Sequence, residues 1–334
     1  MKIYPFGLTS YVMRAQSSRG KYPLLGAILR LLLVLWVAEM VAAVPAIVLV
    51  LFQHLPSIYE LAEKLALGQI TAEAYQSALQ EIILLQNESP AFGIASYVGL
   101  AAVAGGAVLY MFSIDRRPMH QMGLVVEKSQ RKHLPLFALM GVLGMCLIVL
   151  VNFVGGAVAF TPATPTFWHL GVAVAELIGS SAYLIFFLSA FLPVILSHTR
   201  GYWRGAIWAS VLLGLYLAPP TSVTILGDIN GILLALILVL LTTRTGSIWP
   251  ALLSYGALRV LADVLFGDPA YTYLPEAILD PIFAAGRDLT HGGMGGYLSG
   301  LGATLVLALA LLAVLYWPRR APREDTSAFT HSSL

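Results

Sequence analysis

The stretch from Pro23 to Gln53 carries only two charges, Arg30 and Glu39, in about 31 residues. A helix of roughly 20 apolar residues already crosses the hydrocarbon core of a bilayer, so this one run commits the chain to a membrane. Its length exceeds the apolar core of a signal peptide, and no convincing small-residue cleavage site follows it, so it is expected to persist as a first span. The whole chain fits that reading. It is 58% hydrophobic and 11% charged, with mean hydropathy +0.82, whereas soluble domains are about half apolar and about a quarter charged. Eight apolar runs are predicted to span, at 23–53, 92–113, 135–160, 169–194, 205–226, 229–243, 247–266 and 296–317, the sixth being short. The expected fold class is an all-α polytopic membrane protein.

The basic residues orient these runs. With the N-terminus in the cytosol, fifteen of the nineteen Lys and Arg fall on the cytosolic side, from Lys2 through the loop Arg116–Lys132 to Arg323. Only Lys64 and Arg287 fall outside, while Arg30 and Arg259 lie within spans. Adding or removing a span would scramble this segregation, so the positive-inside rule favours eight spans in a plasma (inner) membrane with both termini cytosolic. A net charge of +2 carried by juxtamembrane residues gives no reason to expect a nucleic-acid partner. A single cysteine, Cys146, excludes a disulfide framework and a Cys-rich metal site.

Three regions follow: an N-terminal membrane region (1–169), a core (170–266), and an outer loop, last span and cytosolic tail (267–334). The first contains an outer amphipathic loop at 54–91 and a basic cytosolic loop at 114–134. In the outer loop a helical pattern breaks at Gly68, and Thr71 followed by Glu73 marks a new helix start. Residues 267–295 read as a flexible or re-entrant loop leading into Gly-Gly-Met-Gly-Gly (292–296). These glycines are turn chemistry, because no strand precedes them as a phosphate-binding loop requires. The tail 318–334 is expected to be disordered.

Three segments of the core carry motif-like patterns. Glu176-Leu177-Ile178-Gly179-Ser180-Ser181 lies in the fourth span. Leu213 to Pro220 reads LGLYLAPP. Arg244 to Asp263 reads RTGSIWPALLSYGALRVLAD, a basic turn leading into an apolar helix with an arginine and an aspartate. A lead-in from Arg116-Arg117-Pro118 to Gly123-Leu124 precedes them. In this order the segments resemble the motifs of the CAAX protease and bacteriocin-processing family of intramembrane proteases. Those motifs are E-E-x-x-x-R, F-x-x-x-H, and a T-G-S-x-W turn before H-x-x-x-N. The resemblance implies a family-like core bundle in which a glutamate and histidines activate a water, with or without a metal. Read by residue, Glu176 is the only motif residue retained. Leu177 and Ser181 replace the second glutamate and the arginine. Gly214 and Ala218 replace the phenylalanine and histidine of the second motif, and Tyr255 and Arg259 replace the histidine and asparagine of the third.

The replacements bear on chemistry. A general base must reach its water, and a metal site wants at least three N or O ligands. The histidines (54, 120, 133, 169, 198, 291 and 331) fall in loops, at span ends or in the tail, and His169, nearest to Glu176 in sequence, precedes it by seven residues. No cofactor is expected, and a metal enters only if the chain is a divergent peptidase. Charges at bilayer depth cost about 2.5–3.5 kcal/mol each on insertion scales and therefore need partners. Arg259 and Asp263, four apart on one helical face, can pair. The resemblance further implies that Glu176 and Arg259 share a polar cleft, where they would pair with Tyr255 donating a hydrogen bond; the alternative is that Arg259 bonds Asp263 alone. Asn152 and the Thr245 turn read as packing features. Three functions remain open at this level: an inactive relative that binds a membrane protein or peptide, a divergent intramembrane endopeptidase using Glu176, and a small-molecule transporter or carrier.

Overall fold

In the computed structural model, residues 24–87, 90–113, 119, 122–126, 128–164, 168–199, 201–219, 225–270 and 277–316 are described. The lead-in Arg116-Arg117-Pro118, Pro220 and the tail 318–334 lie outside them. The protein is mostly helical. Helix α1 (Leu24–Ala66) is followed by α2 (Ala72–Asn87), α3 (Pro90–Ser113), the short α4 (Lys128–Arg131) and α5 (Leu134–Val154). Helix α6 (Trp168–Phe186) passes through a π turn (Phe187–Phe191) into α7 (Leu192–His198). Then come α8 (Tyr202–Leu217), α9 (Ile225–Thr245) and α10 (Trp249–Val260), which ends in a second π turn (Leu261–Leu265). The short α11 (Asp288–His291) and two 3₁₀ turns lead to α12 (Leu301–Tyr316).

Among the described residues, four stretches are long and apolar enough to cross a membrane: Leu24–Leu49, Leu134–Val154, Leu177–His198 and Ile225–Thr245. Gly99–Ser113 and Leu301–Tyr316 are shorter apolar helices. The boundaries correct the sequence reading in several places. The first helix does not stop at residue 53. It continues without interruption to Ala66, through Pro45 and Pro56, and turns at Gly68, whose φ of +68° suits a residue without a Cβ. The Thr71 Oγ1 accepts from Ala74 N–H (3.2 Å), the cap that starts α2. The fifth expected span, 205–226, is shorter as α8, ending at Leu217 before Pro219, and the sixth, α9, is a full 21 residues rather than a short one.

The third span also ends early. Gly155 and Gly156 stop α5, Gly156 with φ +64°, and Val158–Pro162 becomes strand β1 instead of helix. It pairs antiparallel with β2 (Leu279–Phe283), Val158 opposite Phe283 and Pro162 opposite Leu279. This two-stranded sheet departs from the all-α expectation. β-Branched and aromatic residues favour strand once glycines have ended a helix.

Small residues set the helix crossings. In a membrane lipid is as apolar as the side chains, so close backbone approach and dispersion hold helices together. Gly99 on α3 faces Ala42 on α1, where a Cβ would overlap the Ala42 carbonyl oxygen. Gly141 on α5 faces Ser254 on α10 in the same way, and the Ser254 hydroxyl donates to Phe137 O (2.8 Å) across that crossing. Gly302 on α12 lies against the buried Asn152 amide of α5. Helices α9 and α10 sit centrally: α10 packs on α5, α6 and α9, and α9 on α8 and α12.

The Thr245-Gly246-Ser247 turn joins these central helices. Its Gly246 has φ +72°, Thr245 Oγ1–H donates to Leu241 O (2.7 Å), and Gln130 Nε2–H donates to Thr245 O (2.5 Å). Trp249 Nε1–H donates to Leu124 O (2.8 Å). The adjacent Arg244 guanidinium donates to the Val314 and Leu315 carbonyls at the end of α12, where a cation meets the negative end of a helix dipole. The turn is structural, as its sequence suggests.

A pair of substitutions tests the crossings. Gly141→Ala should lower stability by about 1–3 kcal/mol through overpacking. Gly144→Ala, which meets nothing within 4 Å, should leave the melting temperature unchanged or slightly raised. Thermal melts in one detergent compare them directly.

Candidate functional site

Helix α10 brings the polar residues of the core together. Tyr255 (5% exposed) and Arg259 (1%) are both buried. Arg259 Nη2 lies 2.6 Å from Asp263 Oδ2, one turn along within the π segment. Its Nη1 lies 3.9 Å from Asp268 Oδ2, whose side chain is equally buried. The expected Arg259–Asp263 pair therefore forms. The Glu176 side chain lies outside the described residues, as does the expected Glu176–Arg259 contact.

Asp268 was not singled out by sequence reasoning, which placed it in the outer loop. Nine residues separate it from Arg259, a spacing that no helical periodicity connects. The chain returns because the π turn and Gly267 (φ +57°) bend it back. Asp268 Oδ1 accepts from Ala270 N–H (3.2 Å). It also lies so close over Gly296 that a Cβ there would overlap the carboxylate.

The Gly-rich segment consequently forms a packed plug, a detail that the reading of 267–295 as a flexible or re-entrant loop did not specify. From Gly295 to Gly300 every residue is buried. The Asn230 amide of α9 donates to Leu298 O (2.8 Å) and Gly300 O (3.0 Å), and Tyr297 Oη–H donates to Phe266 O (2.9 Å). His291 Nδ1 accepts from Gly293 N–H (3.0 Å), which leaves Nε2–H to donate to Ala284 O (3.2 Å). Both ring nitrogens of His291 are thus occupied by backbone. The turn chemistry of the glycines was legible in the sequence; the anchoring by Asn230 and Tyr297 was not, because those contacts join distant parts of the chain.

A second polar group runs across the bundle. Tyr183 on α6 donates through Oη–H to Glu39 Oε1 on α1 (3.2 Å). The Tyr183 ring contacts Tyr216 on α8 with centroids 4.5 Å apart, and Tyr216 in turn meets Phe187 (5.4 Å). A polar seam thus passes from Glu39 through Tyr183 to Tyr216.

The remaining motif positions are split between two crossings. Leu177 and Ser181 on α6 face α10 at Gly256, where a Cβ would press on the Leu177 side chain (2.6 Å) and sit 4.0 Å from Ser181 Oγ. The first and third motif segments are therefore neighbours. Gly214 and Ala218 face elsewhere. A Cβ on Gly214 would overlap the Ile232 backbone of α9, and one on Gly231 would meet Ala218 N at 3.1 Å. An apolar crevice between α7, α8 and α9, lined by Phe187, Phe191, Ile195 and Leu213 among others, has no room for a water molecule. Among the described residues no group of three His, Cys, Asp or Glu could hold a metal. No family model, curated protein or solved structure matches the chain.

Asn230→Leu should strand the Leu298 and Gly300 carbonyls, a loss of about 1–3 kcal/mol. Hydrogen exchange over residues 292–300 should then rise about tenfold or more, while α1 and α3 stay protected.

Proposed function

We propose that the chain is an eight-span inner-membrane protein with both termini in the cytosol. Its core is similar to that of CAAX-type intramembrane proteases, and it binds a membrane protein or peptide without cleaving it. The observation that carries this reading is the use of the second-motif positions. Gly214 and Ala218 form a close crossing with Gly231 and Ile232, which serves helix packing. Buried Tyr255 and an ion-paired Arg259 stand at the third-motif positions. Neither residue supplies a neutral imidazole to relay a proton from water.

The test is cleavage of a panel of membrane-embedded peptides by the purified protein in liposomes, beside Glu176→Gln. The proposal predicts no cleavage by either form. Cleavage lost on that single change would overturn it and establish a peptidase built around Glu176. Restoring the family's residue should not help: Gly214→Phe should destabilise by about 1–3 kcal/mol or more and give no hydrolysis.

The seam from Glu39 through Tyr183 to Tyr216, on three helices, favours a second reading, a small-molecule carrier, because a carrier needs polar groups on several helices. Uptake of a solute into liposomes that Glu39→Gln abolishes would support it over the binding reading.

A further inference from the structure

We propose that helix α1 is the interface of a parallel homodimer, through an apolar stripe that runs from mid-membrane to beyond the outer headgroups. The inference rests on the membrane reading and holds whether the chain binds a peptide or carries a solute. Val41, Val44, Val48, Leu51, Leu55 and Tyr59 recur every three or four residues and share one face of the helix. Each is between 42% and 68% exposed. The other side of α1 meets the bundle, where Ala42 packs on Gly99 of α3 and Glu39 accepts from Tyr183.

Lipid covers only part of this stripe. At ~1.5 Å per residue the 43 residues of α1 reach about 65 Å, whereas a bilayer with its headgroups is about 40–45 Å thick. The apolar stretch ends at Leu49, and Tyr59 stands about 15 Å further along the axis. Helix α2 packs back on α1, yet Leu55 and Tyr59 keep their exposure, and Phe52 beside them is 82% exposed. An apolar face carried unchanged from lipid into headgroups and water fits a second helix of the same period, because lipid tails do not follow it there.

The partner is a second copy of this chain. Copies in one membrane share their topology, so two α1 helices run parallel. A two-fold axis along the membrane normal then sets each stripe residue at the height of its own equivalent. Such self-pairing tolerates no charge on the seam, since every charge would meet its like. From Val41 to Tyr59 the stripe carries none. Glu60 and Lys64 pair with each other on the far side of the helix, and Glu63 flanks the stripe's edge. Valines at 41, 44 and 48 and leucines at 51 and 55 are the side chains that fill a parallel two-helix seam.

The experiment uses the full chain carrying Cys146→Ser, reconstituted in liposomes at low protein density. Leu51→Cys and Leu55→Cys place a thiol on the stripe, and Ser57→Cys and Glu60→Cys place one off it. Copper phenanthroline with oxygen oxidises paired thiols, and a non-reducing gel reads the covalent dimer. A disulfide needs Cα atoms within about 7 Å, so the stripe variants should cross-link about tenfold faster than the off-stripe ones. Photobleaching of the dye-labelled chain in the same liposomes should count two copies per complex. Leu55→Glu combined with Tyr59→Glu should return single copies without lowering the melting temperature, because both side chains are exposed in the single chain. Single copies of the wild-type chain, or equal cross-linking on and off the stripe, would overturn the proposal. Release of the chain from the liposomes by alkaline carbonate would overturn the membrane reading itself, and this proposal with it.

Discussion

The ion pair between Arg259 and Asp263 is the contact on which the central part of the structure depends. An arginine buried to 1% exposure within a lipid-embedded bundle is untenable alone. The carboxylate one turn away, at 2.6 Å, neutralises it. The second carboxylate, Asp268, approaches the same guanidinium only because the π turn and Gly267 redirect the chain. Once Asp268 is there, its carboxylate fits over Gly296, where no side chain could be accommodated. The plug from Gly295 to Gly300 then docks on α9 through Asn230. One buried charge thus propagates into the position of a whole loop.

The second constraint is steric. Lipid supplies no hydrophobic drive between helices, so association needs close backbone contact. Gly99 with Ala42, Gly141 with Ser254, Gly214 with Gly231 and Gly302 with Asn152 mark four such crossings. Each glycine faces backbone or a buried amide of its neighbour. The bundle is therefore least tolerant of added volume where the sequence looks least informative. The polar groups between the helices are correspondingly few, and some are joined by a specific hydrogen bond, as in that from Tyr183 to Glu39.

Much of this was legible in the sequence, and the failures have physical causes. Apolar runs located the helices because lipid demands length and hydropathy in a single stretch. Gly68 and Thr71 gave the turn between α1 and α2, since one supplies a positive φ and the other a cap. The 259/263 spacing gave the ion pair. The strand at Val158–Pro162 was missed because its apolar residues continue the third span without a break in composition; only the two glycines before it signal the change. Asp268, Asn230 and Tyr297 were missed because their partners are distant in sequence. The segments that carry Glu176, Tyr255 and Arg259 lie on α6 and α10, which are neighbours, and nothing in their pattern anticipates that Gly214 and Ala218 face α9 instead.

The most direct measurement of the central claim is a double-mutant thermal cycle on Arg259→Met and Asp263→Leu in detergent. If the pair anchors the core, each single change breaks a buried ion pair and costs up to about 3–5 kcal/mol, while the double change, with Asp268 still beside the site, costs less than the sum of the two. Strictly additive losses would contradict the account, because they would mean that the two side chains contribute independently and that the loop behind them is held by other contacts.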